Sequence, residues 1–240
     1  MDNDLPLIAL EQVSKQFGER RNGVLGRALQ RLGMSQPAAV TRAVEGVDLH
    51  IRRGEVVGLV GESGCGKSTL GRIAAGLLPS SSGTVSLDGQ PLHSLSPAAR
   101  QAARLKVQMI FQDPYASLNP RWTVEDIIAE PVREHEILTD EAAIKERVGE
   151  LLKSVGLSPL DMVKFPHQFS GGQRQRIVLA RALAAKPELV VCDEPVSALD
   201  VAIQAQILNL MQRLQRELGL TYLFISHDLS VVRHISDEVA

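Results

Sequence analysis

Gly61-Glu62-Ser63-Gly64-Cys65-Gly66-Lys67-Ser68-Thr69 fits the pattern G-x-x-x-x-G-K-[ST] at every fixed position. These residue types suit the holding of phosphate. Gly61, Gly64 and Gly66 let the backbone bend and come close to phosphate oxygens. The N–H groups of such a loop, and of the helix start after it, converge as an anion cradle. Lys67 brings a positive charge to the outer phosphates, and Ser68 offers a hydroxyl to Mg²⁺. A glycine-rich turn before an ordinary helix is the competing reading, and the flanking residues oppose it. Glu55 to Val60 is apolar and β-branched and reads as a buried strand. Leu70, Ile73, Ala74 and Leu77 then recur at helical spacing.

A second stretch carries complementary chemistry. Leu189 to Cys192 is an apolar strand that ends in Asp193 and Glu194. Ligands of parallel α/β sheets sit at strand ends. Asp193 is placed to hold a Mg²⁺ shell, and Glu194 to polarise an attacking water as general base. Alone, this pattern is often only a strand with an acidic turn. A phosphate loop upstream makes it the other half of a nucleotide site. Ser170-Gly171-Gly172-Gln173 precedes a further helix and forms a second anion nest, or else a plain Ser N-cap with two glycines. One phosphate loop already serves one nucleotide. The economical use of the second nest is the nucleotide of another copy. His227, after an apolar strand, would by itself be an ordinary structural histidine with a titratable ring.

Leu7 to Val13 reads as a strand, and Val44, Val47, Leu49 and Ile51 as another sheet segment. Between them, residues 19–41 look like an inserted basic loop carrying Arg20, Arg21, Arg27 and Arg31. Leu25, Leu29 and Leu32 could make an apolar stripe there, so a basic amphipathic helix meeting a membrane face or partner competes with a solvated loop. Thr84 to Leu87 and Val107 to Phe111 read as strands, with a helix from Ser96 and Pro97 to about Leu105 between them. Asp113 to Pro120 reads as turns. Helices are expected over Val124 to Glu130, Asp140 to Val155 and from Ser170 to about Ala185, so that residues 114–186 form a helical insert. Ile203 to Leu218 is a long helix, Thr221 to Ile225 a strand, and Leu229 to Ile235 a last helix.

The chain has 240 residues and a formal charge of −2, so no global basic footprint argues for nucleic acid. Cys65 and Cys192 are too few and too far apart for a disulfide framework or a metal-ligand set. The first ten residues do not read as a signal peptide, and no apolar run approaches the ~20 residues of a membrane helix. The sequence reads as a soluble chain whose membrane role would come through partners.

Phosphate loop, Gln112, SGGQ, Asp193-Glu194, Ser197 to Asp200 and His227 follow one another in an order that resembles the ATP-binding subunits of ABC transporters. The resemblance covers nearly the whole chain. It implies an α/β P-loop NTPase of the ABC ATPase type. That fold has a mixed sheet core, a helical signature subdomain (114–186) and an N-terminal antiparallel β region, within one ATP-binding domain over residues 1–240. It implies a head-to-tail dimer that sandwiches two ATP molecules, each with Mg²⁺. By this resemblance Gln112 contacts Mg²⁺ and the attacking water and senses the membrane subunit. Ser170, Gly171, Gly172 and Gln173 meet the partner's γ-phosphate, Asp200 belongs to the dimer-communication loop, and His227 is the switch at the γ-phosphate. Phe17 stands where a Tyr commonly stacks on adenine, and keeps the π-face needed. Phe169 replaces the usual Leu before SGGQ.

Gln108 to Val124 and Cys192 to Leu210 resemble the importer ATPases of the oligopeptide, dipeptide and nickel group, most of all the second, F-type ATPase subunit of peptide importers. That resemblance implies an ATP-hydrolysing motor on the cytoplasmic face of the membrane. Its partners would be a second, identical or related ATPase, two membrane-spanning permease subunits and, indirectly, an extracytoplasmic solute-binding protein, with no nucleic acid. Members normally continue beyond this point, so the chain looks truncated at its C-terminus. Import of nickel or another solute, a soluble ABC ATPase without a membrane partner, and a non-hydrolysing regulatory module are the alternatives.

Overall fold

The computed structural model describes residues 5–18 and 40–240. The basic insertion expected at 19–41 lies almost wholly outside these residues.

Strand burial decides the layering. β3 (Val56–Val60), β6 (Val107–Ile110), β7 (Leu189–Asp193), β8 (Thr221–Ser226) and β9 (Glu238–Val239) form a parallel sheet in the order β6-β7-β8-β3-β9. Both faces are covered, which is why β7 and β8 read as unbroken apolar runs. Val190, Cys192, Tyr222 and Phe224 face one buried cluster, while Val191, Leu223 and Ile225 face another. This is the two-residue period of a strand.

The second cluster is closed by α1 (Lys67–Ala74) and by an antiparallel sheet of order β2-β1-β4-β5. Its strands are β1 (Ile8–Phe17), β2 (Thr41–Ile51), β4 (Ser82–Leu87) and β5 (Gln90–Pro91). The parallel and antiparallel parts of the expected mixed core thus lie in two separate sheets. β1 runs four residues beyond the Val13 expected from alternation. The alternation is broken at Gln12, whose φ is 50°, and the pairing with β2 shifts between Leu10 and Val13. A bulge of this kind lets a strand continue while its side chains change face.

α2 (Pro97–Lys106) starts as expected, with Ser96 accepting a hydrogen bond from the Ala99 N–H at 3.2 Å. None of its residues is buried. Its last residue enters a four-charge cluster. Lys106 Nζ lies 2.9 Å from both Asp88 and Glu188, and Arg53 pairs with the same two carboxylates. Partial burial pushes the Glu188 carboxyl upward, but hydrogen bonds from Arg53 and Lys106 outweigh it and hold it below the usual range.

Between β6 and β7 lie α3 (Pro114–Ser117), α4 (Val124–Glu134), α5 (Glu141–Ser154) and α6 (Gly171–Ala184). Their apolar faces share the first cluster with the sheet, α7 (Val201–Leu218) and α8 (Leu229–Ile235). Ile144, Val148, Leu151 and Leu152 of α5 are fully buried there, and each such side chain contributes about 1.5–3 kcal/mol. Two local expectations change. The segment Asp113 to Pro120, read as turns, contains the one-turn α3, because Asp113 caps the Tyr115 N–H at 2.7 Å and Pro114 starts the turn. α4 continues past Glu130 although Pro131 lies inside it. Val132 is buried and Arg133 bonds Glu141 at 2.7 Å, which offsets the lost backbone bond.

Candidate nucleotide site

The loop between β3 and α1 bends through Gly64 at φ 83° and Gly66 at φ 105°, backbone regions that side chains disfavour. Gly66 is also pressed against the other sheet. A Cβ there would stand 2.1 Å from the Ala43 carbonyl oxygen of β2. Gly66 has no tolerable substitute on both counts. The loop therefore sits on a seam between the two sheets.

Lys67 begins α1 and is only 8% exposed. Its ammonium donates to the carbonyl oxygens of Gly61 and Glu62, each at 2.7 Å. The loop is thereby drawn around its own lysine. Ser63 and Cys65 are exposed on the loop, and Thr69 follows in the first turn of α1. Ser68 Oγ donates to Asp193 Oδ1 at 2.8 Å, which ties the loop to the end of β7. Asp193 is 4% exposed.

Glu194 follows with φ 49°, unusual for a residue with a side chain. Its N–H is fixed by the Ile225 carbonyl at 2.9 Å, and its own carbonyl accepts from the Ser197 hydroxyl at 3.0 Å. This clamp holds the strained conformation. It presents the carboxylate to two side chains from neighbouring strand ends. Gln112 Nε2, just after β6, donates to Glu194 Oε2 at 2.9 Å. His227 Nδ1, just after β8, lies 3.2 Å from the same oxygen. Thus β6, β7, β8 and the loop after β3 bring Gln112, Asp193, Glu194, His227, Lys67 and Ser68 to one end of the parallel sheet. Phe17 lies exposed at the end of β1, paired with Thr41 two residues before Ala43, and the Lys15 ammonium stands 5.3 Å from its ring centre.

The remaining predicted residues group elsewhere. Ser170 caps α6 by accepting from the Gln173 N–H at 3.3 Å, while the Gln173 side chain accepts from the Ser170 N–H at 2.9 Å. Asp200 caps α7, accepting from Ile203 N–H at 3.0 Å. The two helix starts are packed together: a Cβ on Gly172 would stand 2.5 Å from Ile203 Cγ2, and one on Gly171 3.3 Å from Leu199 Cδ2. Among the described residues no hydrogen bond joins 170–173 to the phosphate loop. An open depression of about 470 Å³, bordered by Ser170, Gly172, Gln173 and Arg176, lies in front of this second nest.

Three residues around the site escape sequence reading. Ala43, which seats Gly66 through its carbonyl, carries no chemical signal at all. Arg174 and Tyr115, which join α6 to α3, are separated by 59 residues, and only the fold pairs them.

The model of the family described as ABC transporter matches residues 44–197. The oligopeptide transport ATP-binding protein OppF of Escherichia coli (strain K12) is 53% identical over 204 residues, covering 85% of this chain and 61% of its own. AppF of Bacillus subtilis (strain 168), of the same description, is 56% identical over 238 residues, covering 99% of this chain and 69% of its own. The chain thus spans about two thirds of the length of these relatives. Among solved structures, the dimeric bacterial ABC transporter cassette MJ0796 is 28% identical with a TM-score of 0.78, over 97% of this chain and 92% of that one. A dimeric post-hydrolysis state of the same cassette, bound to ADP and Pi, has a TM-score of 0.77 at 27% identity, over 97% of this chain and 96% of that one. With phosphate loop, paired carboxylates and capped second nest all in place, the chain belongs to the ABC transporter family, as one of its ATP-binding cassettes.

Proposed function

We propose that the chain is the ATP-hydrolysing motor of a peptide importer. The observation that carries the catalytic part is the Glu194 carboxylate, held in a strained backbone between Gln112 and His227 and next to the Asp193–Ser68 pair. The peptide cargo is the reading favoured by OppF and AppF, both described as oligopeptide transport proteins.

The residues present fit ATP with Mg²⁺. Gly64 leaves open space above a positive-φ turn, so the backbone can come close to a phosphate chain. Among the described residues no cluster of three or more His, Cys, Asp or Glu side chains could cage a metal. That matches Mg²⁺, which is typically held by one or two protein groups and substrate phosphates. Ser68 and Asp193 would hold it, and when bound it neutralises charge on the phosphate oxygens. The Lys67 ammonium exchanges its carbonyl partners for the outer phosphates. Glu194 takes a proton from the attacking water, which Gln112 helps to orient. The water oxygen bonds to the γ-phosphorus as the bond to the bridging oxygen breaks, leaving ADP and phosphate. His227, which stands on the other side of Glu194 Oε2, turns a ring N–H to the γ-phosphoryl group.

The second nest serves the nucleotide of a partner cassette. Its helix is fourteen residues long, and its positive N-terminal end favours an anion. Asp200, on the adjoining helix start, lies at the same dimer face. Phe17 offers its exposed ring to the adenine. Closure on two nucleotides and reopening after hydrolysis would drive two permease subunits, with a solute-binding protein outside the membrane, from its cytoplasmic face. Among the described residues no helix is long and apolar enough to cross a membrane.

The test is ATP turnover together with capture of the tagged chain from gently solubilised membranes. Turnover that requires Mg²⁺, with two multi-span subunits recovered alongside, is the expected result. Failure to bind ATP would overturn the motor. Recovery of a set of permeases that carries only metal ions would overturn the peptide cargo.

A further inference from the structure

A cavity of about 460 Å³ lies at the C-terminal end of α1, the end away from the phosphate loop. Small-molecule pockets are typically ~300–1,000 Å³. Its floor is apolar and well ordered by packing: Ile8, Ile73, Val85 and Leu87 are all buried. Leu92 and Leu77 add apolar wall, and Leu77 is more than half exposed.

α2 lies across the mouth. The residues that it turns toward the cavity are Arg100, Ala103, Arg104 and, just beyond its end, Val107. That is the i, i+3, i+4, i+7 stripe by which an ordinary amphipathic helix buries leucines. Here two of the four positions are arginine and one is alanine, so the gap under the helix is left unfilled. His93 stands on the same rim. No carboxylate is among the described residues that line the cavity. Among the described residues Arg100 reaches only the backbone carbonyls of His93 and Leu95, at 3.4 and 3.3 Å. By contrast, the basic residue at the end of α2, Lys106, is fully paired with Asp88 and Glu188. The helix is thus anchored at one end and carries, over an apolar hole, positive charge that no carboxylate among the described residues pairs.

We propose that this cavity binds a small amphipathic carboxylate, its apolar body on the Ile73–Leu87 floor and its carboxylate between Arg100 and Arg104. Guanidinium groups match a carboxylate in shape and charge, and such charge-assisted bonds are about twice as strong as neutral ones. The competing account is that both arginines merely lay their stems over apolar surface and keep their heads in water. That account predicts no preference for an anion.

The two are separated by titrating the purified chain with decanoate, decanol and decyltrimethylammonium, all below micelle-forming concentrations, by calorimetry. Decanoate should bind saturably at one site, decanol at least about tenfold more weakly, and the cation not at all. Arg100→Gln with Arg104→Gln, both at exposed positions, should bring decanoate down to the level of decanol. Ala103→Phe should fill the cavity and abolish both. Should Ala103→Phe fail to fold, the arginine pair alone decides. Absence of saturable decanoate binding overturns the site. Decanol binding as tightly as decanoate, or an arginine variant that binds decanoate unchanged, overturns the recognition of an anion. Decyl phosphate binding more tightly than decanoate overturns the choice of carboxylate.

Discussion

The Arg174 guanidinium lies over the ring of Tyr115, 3.7 Å from its centre, and donates to its hydroxyl. Arg174 stands four residues after Ser170 in the helix that carries the second nest. Tyr115 stands three residues after Gln112. Arg181, two turns on from Arg174 along α6, adds a bond to the Ser117 carbonyl at 3.0 Å. The segment that follows Gln112 is therefore bolted to α6 at two points. A displacement of the nest must move this segment, and Gln112 with it. A cation over an aromatic face is worth ~0.5–2 kcal/mol, more when desolvated. In a double-mutant cycle of Arg174→Met and Tyr115→Leu, urea denaturation should give a coupling of about 1 kcal/mol. Strictly additive effects would mean that the stack holds nothing.

Glu194→Gln removes the proton acceptor and keeps the shape. Nucleotide affinity should stay close to that of the unaltered chain, while the rate of ATP turnover should fall about 10²–10⁴-fold. Single-turnover kinetics on the two proteins check this. An undiminished rate would remove Glu194 from its assigned role.

Gly66 and Gly64 separate strain from contact. Both have positive φ, but a Cβ on Gly64 meets open space while one on Gly66 meets the Ala43 oxygen. Gly64→Ala should cost about 1 kcal/mol, the lower end for a side chain forced into such a backbone. Gly66→Ala should cost more and should also weaken nucleotide binding. Thermal melting of the two variants tests it, and equal losses would mean that the Ala43 contact is not felt.

The four-charge cluster predicts a pH profile. Glu188 is held below its usual range in the folded chain, so its contribution is complete above the unfolded value of ~4.3 and fades as pH falls through the lowered folded value. Lys106 is raised, chiefly by the Asp88 and Glu188 hydrogen bonds, so its share is complete below ~10.4 and is lost only at higher pH. Glu188→Gln should thus cost a constant amount between about pH 5 and 10. Solvent screening of the half-exposed Arg53 and Lys106 keeps that to about 1 kcal/mol at most. Denaturation from pH 3 to 7 should show the difference between the two proteins shrinking below pH 4 or so. A difference that persists at pH 3 would place its origin elsewhere.

Much of this site is legible in the sequence because its groups sit next to the strands that place them. Asp193-Glu194 ends one apolar run, His227 follows another and Gln112 follows a third, so the strands locate these residues, while the roles expected of His227 and Gln112 come from the family resemblance. The phosphate loop announces itself by glycine spacing. What stays hidden depends on tertiary contact. The bulge at Gln12 carries β1 on to Phe17 through a change of register that no period predicts. Pro131 signals a helix end, and only burial of Val132 and the Arg133–Glu141 pair carry α4 past it. The Gly66 seat on Ala43 joins two sheets that the chain visits at different times.

That seat has a consequence for the protein's lifetime. The phosphate loop belongs to the parallel sheet, yet it leans on the first residues of a strand in the antiparallel one. A nucleotide held there fastens two layers that are otherwise joined by apolar packing and by the four-charge cluster of Arg53, Lys106, Asp88 and Glu188. A ligand that binds only the folded chain adds about 2.7 kcal/mol of stability at a hundred times its Kd. A chain whose loop is empty lacks that stabilisation, and a protease meets its unfolded form more often.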